Sequence, residues 1–120
     1  MNKLTLLVLA ASLAACAKKG MTPETRTEIS TKLAATQTPI QACYQRQLTT
    51  NRKLRGMVVA QATISAEGQF GEVMLRRDEP ADPVLRFCVV QELAKIKLDK
   101  PTGERVVLES IPIKFEWANP

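Results

Sequence analysis

The chain has 120 residues, a formal net charge of +5 and no histidine. A chain of this length forms one small domain, and the lack of histidine removes the commonest general base and the commonest metal ligand. Because aromatic residues make up only 4% of the sequence, a base-stacking platform for single-stranded nucleic acid is not expected.

The first residues have the three parts of a secretory signal peptide. Lys3 supplies a positive start, an apolar run follows, and small residues lead up to Cys16. The apolar run is only about 14 residues long, which is too short to span a bilayer. The sequence therefore predicts a signal peptide over residues 1–15 and a cell-envelope location for the remainder.

The end of this segment, Leu13-Ala14-Ala15-Cys16, resembles the lipobox of bacterial lipoproteins. The resemblance implies that Cys16 receives lipid, palmitate included, and anchors the protein to a membrane. No aspartate follows Cys16, which resembles an outer-membrane address and favours the periplasmic face of that membrane. The alternative is an ordinary signal peptide, cleaved near Ala15, with an unmodified cysteine.

A lipidated tether over residues 16–22 leads into a predicted N-terminal helix over residues 23–39. Thr22 can cap this helix and Pro23 suits its first position. Pro39 either kinks one long helix or begins a second one. The next apolar residues, at helical spacing, are Ile40, Cys43, Tyr44 and Leu48.

Two strands and a hairpin loop follow, because apolar residues alternate over 57–65 and again over 70–77. Gly68 in the loop can take a positive φ. Asp82 and Pro83 repeat the capping pattern and predict a second helix that ends near residue 97. A last strand over 105–117 contains a proline, so we expect it at a sheet edge or bulged there. The side chains expected on one face of this strand are those of Val107, Ile111, Ile113, Phe115 and Trp117.

Two cysteines remain if Cys16 carries lipid. Cys43 and Cys88 both lie on apolar faces of predicted helices, and an envelope protein meets an oxidising compartment. We therefore expect a disulfide between them, with two buried free thiols as the alternative. No histidine can activate either sulfur, so a nucleophilic role is not expected.

Enzyme signatures are missing from the sequence. It contains no G-x-S-x-G turn, no phosphate-binding glycine loop and no metal-ligand spacing. We therefore expect neither an enzyme nor a cofactor or metal. Clusters of basic residues are typical of solvated surfaces, but they would also suit contact with anionic lipid or cell-wall polymer. The candidate basic patch consists of Arg52, Lys53, Arg55, Arg76 and Arg77.

Several motifs together resemble the C-terminal domain of the AgmX/PglI gliding-motility family, which is a TonB-C-terminal-like domain. The resemblance covers residues 40–117, with a short tail over 118–120. It is carried by Ile40-Gln41-Ala42-Cys43-Tyr44 with Leu48, by Leu54-Arg55-Gly56-Met57-Val58-Val59, by Cys88-Val89, and by Ile111-Pro112-Ile113-Lys114-Phe115.

This resemblance implies an α+β domain of order helix-strand-strand-helix-strand. The three-stranded antiparallel sheet would have its first strand in the centre and its helices on one face. TonB proteins bind extended peptides of envelope proteins along the last strand. The residues that this implies for partner binding are Val107, Glu109, Ile111, Ile113 and Phe115.

The functional prediction is a non-enzymatic envelope lipoprotein that binds a protein partner by edge-strand addition, in an envelope or motility-type complex. The sequence has no transmembrane helix of the kind that couples TonB to its motor, so we expect no energy transduction. Related domains can exchange strands, so the resemblance also allows a homodimer. The alternatives are a basic module for anionic lipid or cell-wall polymer and a purely structural lipoprotein.

Overall fold

The computed structural model describes residues 21–117. The signal peptide, Cys16, most of the tether and the tail over 118–120 lie outside the described residues. The elements are α1 (Pro23–Leu48), β1 (Gly56–Ile64), β2 (Phe70–Asp78), α2 (Pro83–Ala94) and β3 (Val106–Phe115). This order and the α+β class confirm the predicted fold. The sheet has the order β2-β1-β3, and both outer strands are antiparallel to β1.

Helix α1 begins as its sequence predicts and then continues without a break. The hydroxyl of Thr22 accepts the N–H of Thr25 at 3.1 Å, and Pro23 occupies the first helical position. Of the two alternatives at Pro39, the structure has the single long helix. Ile40, Cys43 and Tyr44 of its second half are buried in the core, as their spacing indicates.

Helix α2 is capped by Asp82, which is itself buried. Its carboxylate accepts the N–H of Leu85 at 2.9 Å and the side-chain amide of Gln47 at 3.1 Å. Burial opposes ionisation, but these two donors, together with the backbone N–H of Val84 and the side chain of Asn51, outweigh it and hold the pKa of Asp82 below its usual range. The helix ends at Ala94 rather than near Lys97, because the carbonyl of Ile96 instead accepts the N–H of Phe70 at 3.0 Å.

The core lies between the helices and one face of the sheet. On the central strand β1, Val58, Ala60, Ala62 and Ile64 are all at most 1% exposed. The two alanines are small, so the helices can pack close to the strand. The opposite face of β1 is only partly buried. Gly68 in the hairpin takes the predicted positive φ, 95°, and its carbonyl accepts the N–H of Leu98 at 2.8 Å.

Strand β3 contains a β-bulge shortly before Pro112, which is not the position that the sequence analysis offered for one. Ala60 pairs with Ile111 and Ala62 pairs with Leu108, so Glu109 and Ser110 both lie opposite one residue of β1. The extra residue reverses the alternation. The prediction that Val107 shares a face with the residues after the bulge is therefore wrong: Val107 is 41% exposed, and its neighbour Val106 is buried instead.

The prediction for Trp117 is also wrong, since this residue follows the end of β3 and is 46% exposed. Ile111, Ile113 and Phe115, which follow the bulge, are buried as predicted. Of the two alternatives for this strand, the structure has the edge position. Pro112 itself pairs in register with Val59, and the bulge lies before it at Glu109 and Ser110.

A disulfide joins the two helices. Cys43 of α1 and Cys88 of α2 are bonded, with their Cα atoms 6.0 Å apart and a sequence separation of 45. This confirms the predicted pairing. The bond lies beside the contact between Gln47 and Asp82, so the second half of α1 is held to the start of α2 by a covalent bond and a hydrogen bond.

Candidate functional site: the free edge of β3

Within residues 21–117, both outer strands of the sheet have an edge without a strand partner, but the two edges differ. The pairing of β2 with β1 is irregular at two places, and Glu72 of β2 has a positive φ of 47°. Helix α2 packs beside β2, and Arg86 of α2 binds Asp78 at the end of β2 with a distance of 2.9 Å. The edge of β3 has one bulge only. It is therefore the more regular template for an added strand.

Pro112 indicates which backbone groups of β3 face outwards. It pairs with Val59 but has no N–H, and prolines within sheets occur where that group would point away from the neighbouring strand. Backbone orientation alternates along an antiparallel strand. Lys114, two residues on, therefore directs its N–H and carbonyl to the free edge.

A groove of about 790 Å³ runs between α1 and the first half of β3. We call it the α1/β3 groove. On the helix side it is lined by Met21, Arg26, Ile29 and Leu33, and on the strand side by residues 105–111. An added strand would lie directly beside it, with every second side chain directed towards the groove.

Polar contacts on the far side of α1 hold the groove in place. The ammonium group of Lys32 binds the carboxylate of Asp99 at 3.2 Å. The carboxylate of Glu28 accepts the backbone N–H of Asp99. Asp99 belongs to the loop between α2 and β3, so the first half of α1 is tied to this loop and not to the edge of β3.

The residues expected to bind a partner fall into two groups. The side chains of Ile111, Ile113 and Phe115 are at most 5% exposed. Because backbone orientation alternates along β3, their N–H and carbonyl groups face β1 and not the free edge. Glu109 and Val107 have exposed side chains. The surface of the site thus comes largely from residues that the sequence analysis did not single out, above all those of α1.

The five residues of the candidate basic patch do not form one surface. Arg55 and Arg77 line a cleft of about 690 Å³ at the end of the sheet where β1 begins. Arg52 lies in a smaller hollow on another side of Trp117. Arg76 donates to the side chain of Gln61 at 3.0 Å, and Lys53 lines neither hollow.

The charges in the cleft at the sheet end are largely paired. Arg77 binds the carboxylate of Glu79, which also accepts the N–H of Met57 at 2.7 Å. This N–H and the guanidinium group hold the pKa of Glu79 below its usual range. A side chain at Gly56 would meet the Cβ atom of Glu79 at 2.7 Å, and Gly56 has a φ of 134°, so only glycine fits here.

Trp117 is fixed by contacts that its place in the sequence does not reveal. Its indole N–H donates to the carbonyl of Leu54 at 3.2 Å, and the hydroxyl of Tyr44 donates to the same oxygen at 2.6 Å. The guanidinium carbon of Arg55 lies 5.3 Å from the centre of the indole ring. Burial raises the pKa of Tyr44, against the opposing effect of Arg55.

The described part of the chain contains neither a candidate metal site nor a helix that could span a membrane. No group of three or more His, Cys, Asp or Glu side chains within residues 21–117 could hold a metal ion. No helix over these residues is long and apolar enough to cross a membrane.

Comparison with known proteins finds a similar solved structure but no matching sequence family. No protein-family model matches the chain, and no curated protein matches it. The solution structure of the TonB C-terminal domain from Helicobacter pylori is similar, with 20% sequence identity and a TM-score of 0.53. The match covers 91% of this chain and 95% of that one.

The chain has a TonB C-terminal-like fold. At 20% identity the likeness establishes the fold and not a shared activity. The narrower resemblance to the AgmX/PglI family has no matching family model behind it and stays a prediction. Within the TonB C-terminal-like fold, the edge of β3 and the α1/β3 groove form one continuous surface for an extended segment.

Proposed function

We propose that this protein is a non-enzymatic lipoprotein of the bacterial envelope that binds an extended segment of a partner protein. The partner adds a strand to the free edge of β3. The observation that carries the proposal is this edge, which is regular after the bulge and borders the α1/β3 groove. A TonB C-terminal-like fold and the resemblance to the AgmX/PglI family support a protein partner in an envelope or motility-type complex.

Strand addition depends on the outward backbone groups of β3 and does not require exposed side chains on this strand. Backbone hydrogen bonds supply the affinity in this mode of recognition, and pockets for alternate side chains supply the specificity. Within residues 111–115, the carbonyl of Pro112 and the N–H and carbonyl of Lys114 face the free edge and are available for the first role. The alternative of a basic surface module is less favoured, because Arg76 and Arg77 each bind a neighbouring side chain already.

Lys114 allows a test that separates backbone from side chain. Proline at this position removes an outward N–H of β3, whereas alanine removes only the side chain and its ion pair with Glu116. Ile113 is already extended, so a following proline is compatible with its backbone. We expect Lys114→Pro to reduce capture of the partner from cross-linked envelope membranes by about tenfold, and Lys114→Ala to leave it nearly unchanged.

Quantitative mass spectrometry of the captured proteins measures this difference. Circular dichroism establishes that both variants are folded. If Lys114→Pro and Lys114→Ala capture the same proteins in the same amounts while both are folded, strand addition at β3 is not the binding mode.

The membrane anchor is part of the proposal. Cys16 would carry the lipid and hold the domain at the periplasmic face of the outer membrane. A disulfide between Cys43 and Cys88 is in keeping with an oxidising compartment. We expect labelled palmitate to be incorporated into the wild-type protein and not into the Cys16→Ser variant, which would leave the membrane fraction. Equal labelling of the two proteins would exclude lipidation at this residue.

A further inference from the structure

The two sulfur atoms of the disulfide lie in different surroundings. Cys43 is 3% exposed and belongs to the core. Cys88 packs against the outside of the core and is only partly buried. A thiolate exchanges with a disulfide by attacking one of its sulfur atoms, and the rate depends on access to that atom. An external thiol therefore has access to Cys88 and not to Cys43.

A positive charge lies beside the accessible sulfur. Arg46, in the last turn of α1, donates from its guanidinium Nη2 to the Sγ atom of Cys88 at 3.4 Å. Within residues 21–117, Arg46 takes part in no ion pair. Glu92, one turn beyond Cys88 on α2, is paired with Lys95 at 2.8 Å. The charge of Arg46 can therefore act on the sulfur, and a positive neighbour favours the thiolate form of cysteine.

Exposed apolar side chains lie next to Cys88 on α2. Phe87 is 65% exposed, and Val84, one turn before Cys88, is 61% exposed. These are the two most exposed large apolar side chains in residues 21–117. Exposed apolar side chains that lie together mark a surface for a protein partner. Here that surface adjoins a sulfur atom that can react, so the partner it fits is a protein that exchanges thiols with disulfides.

We propose that Cys88 is the sulfur through which the disulfide exchanges with an external dithiol protein, and that Val84 and Phe87 form the docking surface for that protein. Arg46 assists by stabilising negative charge on Cys88. The inference concerns the helical side of the domain and does not depend on strand addition at β3.

The exchange consists of two attacks. A thiolate of the dithiol protein forms a bond to the Sγ atom of Cys88, the bond between Cys43 and Cys88 breaks, and Cys43 leaves as a thiolate. The second thiolate of the dithiol protein then attacks the first one's sulfur in this mixed disulfide, and Cys88 leaves as a thiolate. The dithiol protein is oxidised to its disulfide, and the two cysteines gain two electrons and two protons. Oxidation is the reverse sequence and passes through the same mixed disulfide on Cys88.

Trapping of the mixed disulfide tests this assignment on the folded, oxidised full-length protein in detergent micelles. The neutral thiol 2-mercaptoethanol opens the disulfide in the presence of iodoacetamide, which alkylates the cysteine that is released. Trypsin places Cys43 and Cys88 in separate peptides, 33–46 and 87–95, for mass spectrometry. We expect the mercaptoethanol adduct on Cys88 and the alkyl group on Cys43 in about nine of ten trapped molecules. The reverse pattern, or equal amounts of the two, would overturn the proposal.

Variants of Arg46 measure the effect of the positive charge. During the attack, negative charge passes from the incoming sulfur through Cys88 to the leaving sulfur. We expect Arg46→Gln to slow the opening by 2-mercaptoethanol about fivefold, and Arg46→Lys to restore most of the rate. Arg52→Gln is the matched control, because it removes the same charge at an exposed residue beside Trp117. Equal slowing by Arg46→Gln and Arg52→Gln would show that Arg46 has no local role.

Serine at both Val84 and Phe87 tests the docking surface, with reduced thioredoxin as the dithiol protein. We expect this double variant to open about tenfold more slowly than wild type with thioredoxin. Its rate with 2-mercaptoethanol should be unchanged, because a small thiol needs no docking surface. Met74→Ser is the matched control, since Met74 is also an exposed apolar residue, on β2. If the double variant and Met74→Ser both react with thioredoxin as fast as wild type, the docking surface is refuted.

Discussion

Replacing Cys43 and Cys88 together with alanine should lower the free energy of unfolding by about 4 kcal/mol. The disulfide closes a loop with a sequence separation of 45 residues. In the chain-entropy account, a cross-link of this span lowers the conformational entropy of the unfolded chain and so raises the free energy of the unfolded state by about 4 kcal/mol. Small domains have a total stability of roughly 5–15 kcal/mol, so this single bond supplies a large part of it.

Chemical denaturation of the oxidised wild type and of the double variant measures the difference. The reduced wild-type protein is the first control and should unfold at nearly the same denaturant concentration as the double variant. Cys43→Ala alone is the second, and it should cost about as much as the double change, because the cross-link is lost once. A double variant within about 1 kcal/mol of wild type would show that the contacts between Gln47, Asp82 and the core hold the helices together without the bond.

Introducing a charge at Ile113 should prevent folding, whereas the same charge at Val107 should have little effect. Ile113 is 2% exposed and Val107 is 41% exposed, although both belong to β3. An ionised carboxylate in the core has no partner there, and the lost burial adds to its cost. We expect Ile113→Glu to cost more than about 4 kcal/mol, and Val107→Glu less than about 1 kcal/mol.

Thermal unfolding followed by circular dichroism is sufficient for this comparison, because the first variant should show no cooperative transition. The pair of variants also tests the bulge at Glu109 and Ser110 directly. Without the bulge, residues 107 and 113 would share a face of the strand, and the two changes would be similarly harmful. Similar losses of stability would therefore refute the register of β3.

The consequence for function is that binding at this edge cannot be tested through the buried side chains. Ile111 and Phe115, like Ile113, contribute to the core. A charge at any of them would abolish binding by unfolding the domain. Variants at Lys114 act instead on an outward backbone group and on an exposed side chain, so they change the site and leave the core intact.

The sequence by itself determined the elements and their order. The helix caps at Thr22 and Asp82 bind backbone groups three residues further on, so the whole signal lies within one turn. The alternation along β1 is equally local. The disulfide could be predicted too, since only two cysteines remained once Cys16 was assigned to the lipid.

The bulge in β3, the contact of Trp117 and the α1/β3 groove were decided by the tertiary structure. The bulge in β3 depends on its pairing with Ala60 and Ala62, which lie far away in the sequence. The contact of Trp117 with the carbonyl of Leu54 depends on the same pairing. The α1/β3 groove exists because α1 continues through Pro39 and is held by Asp99, so that Arg26 and Arg105 line one surface. Patterns of period 2 or 3.6 describe which face a residue occupies within its own element, whereas a register shift or a groove is created only when elements meet.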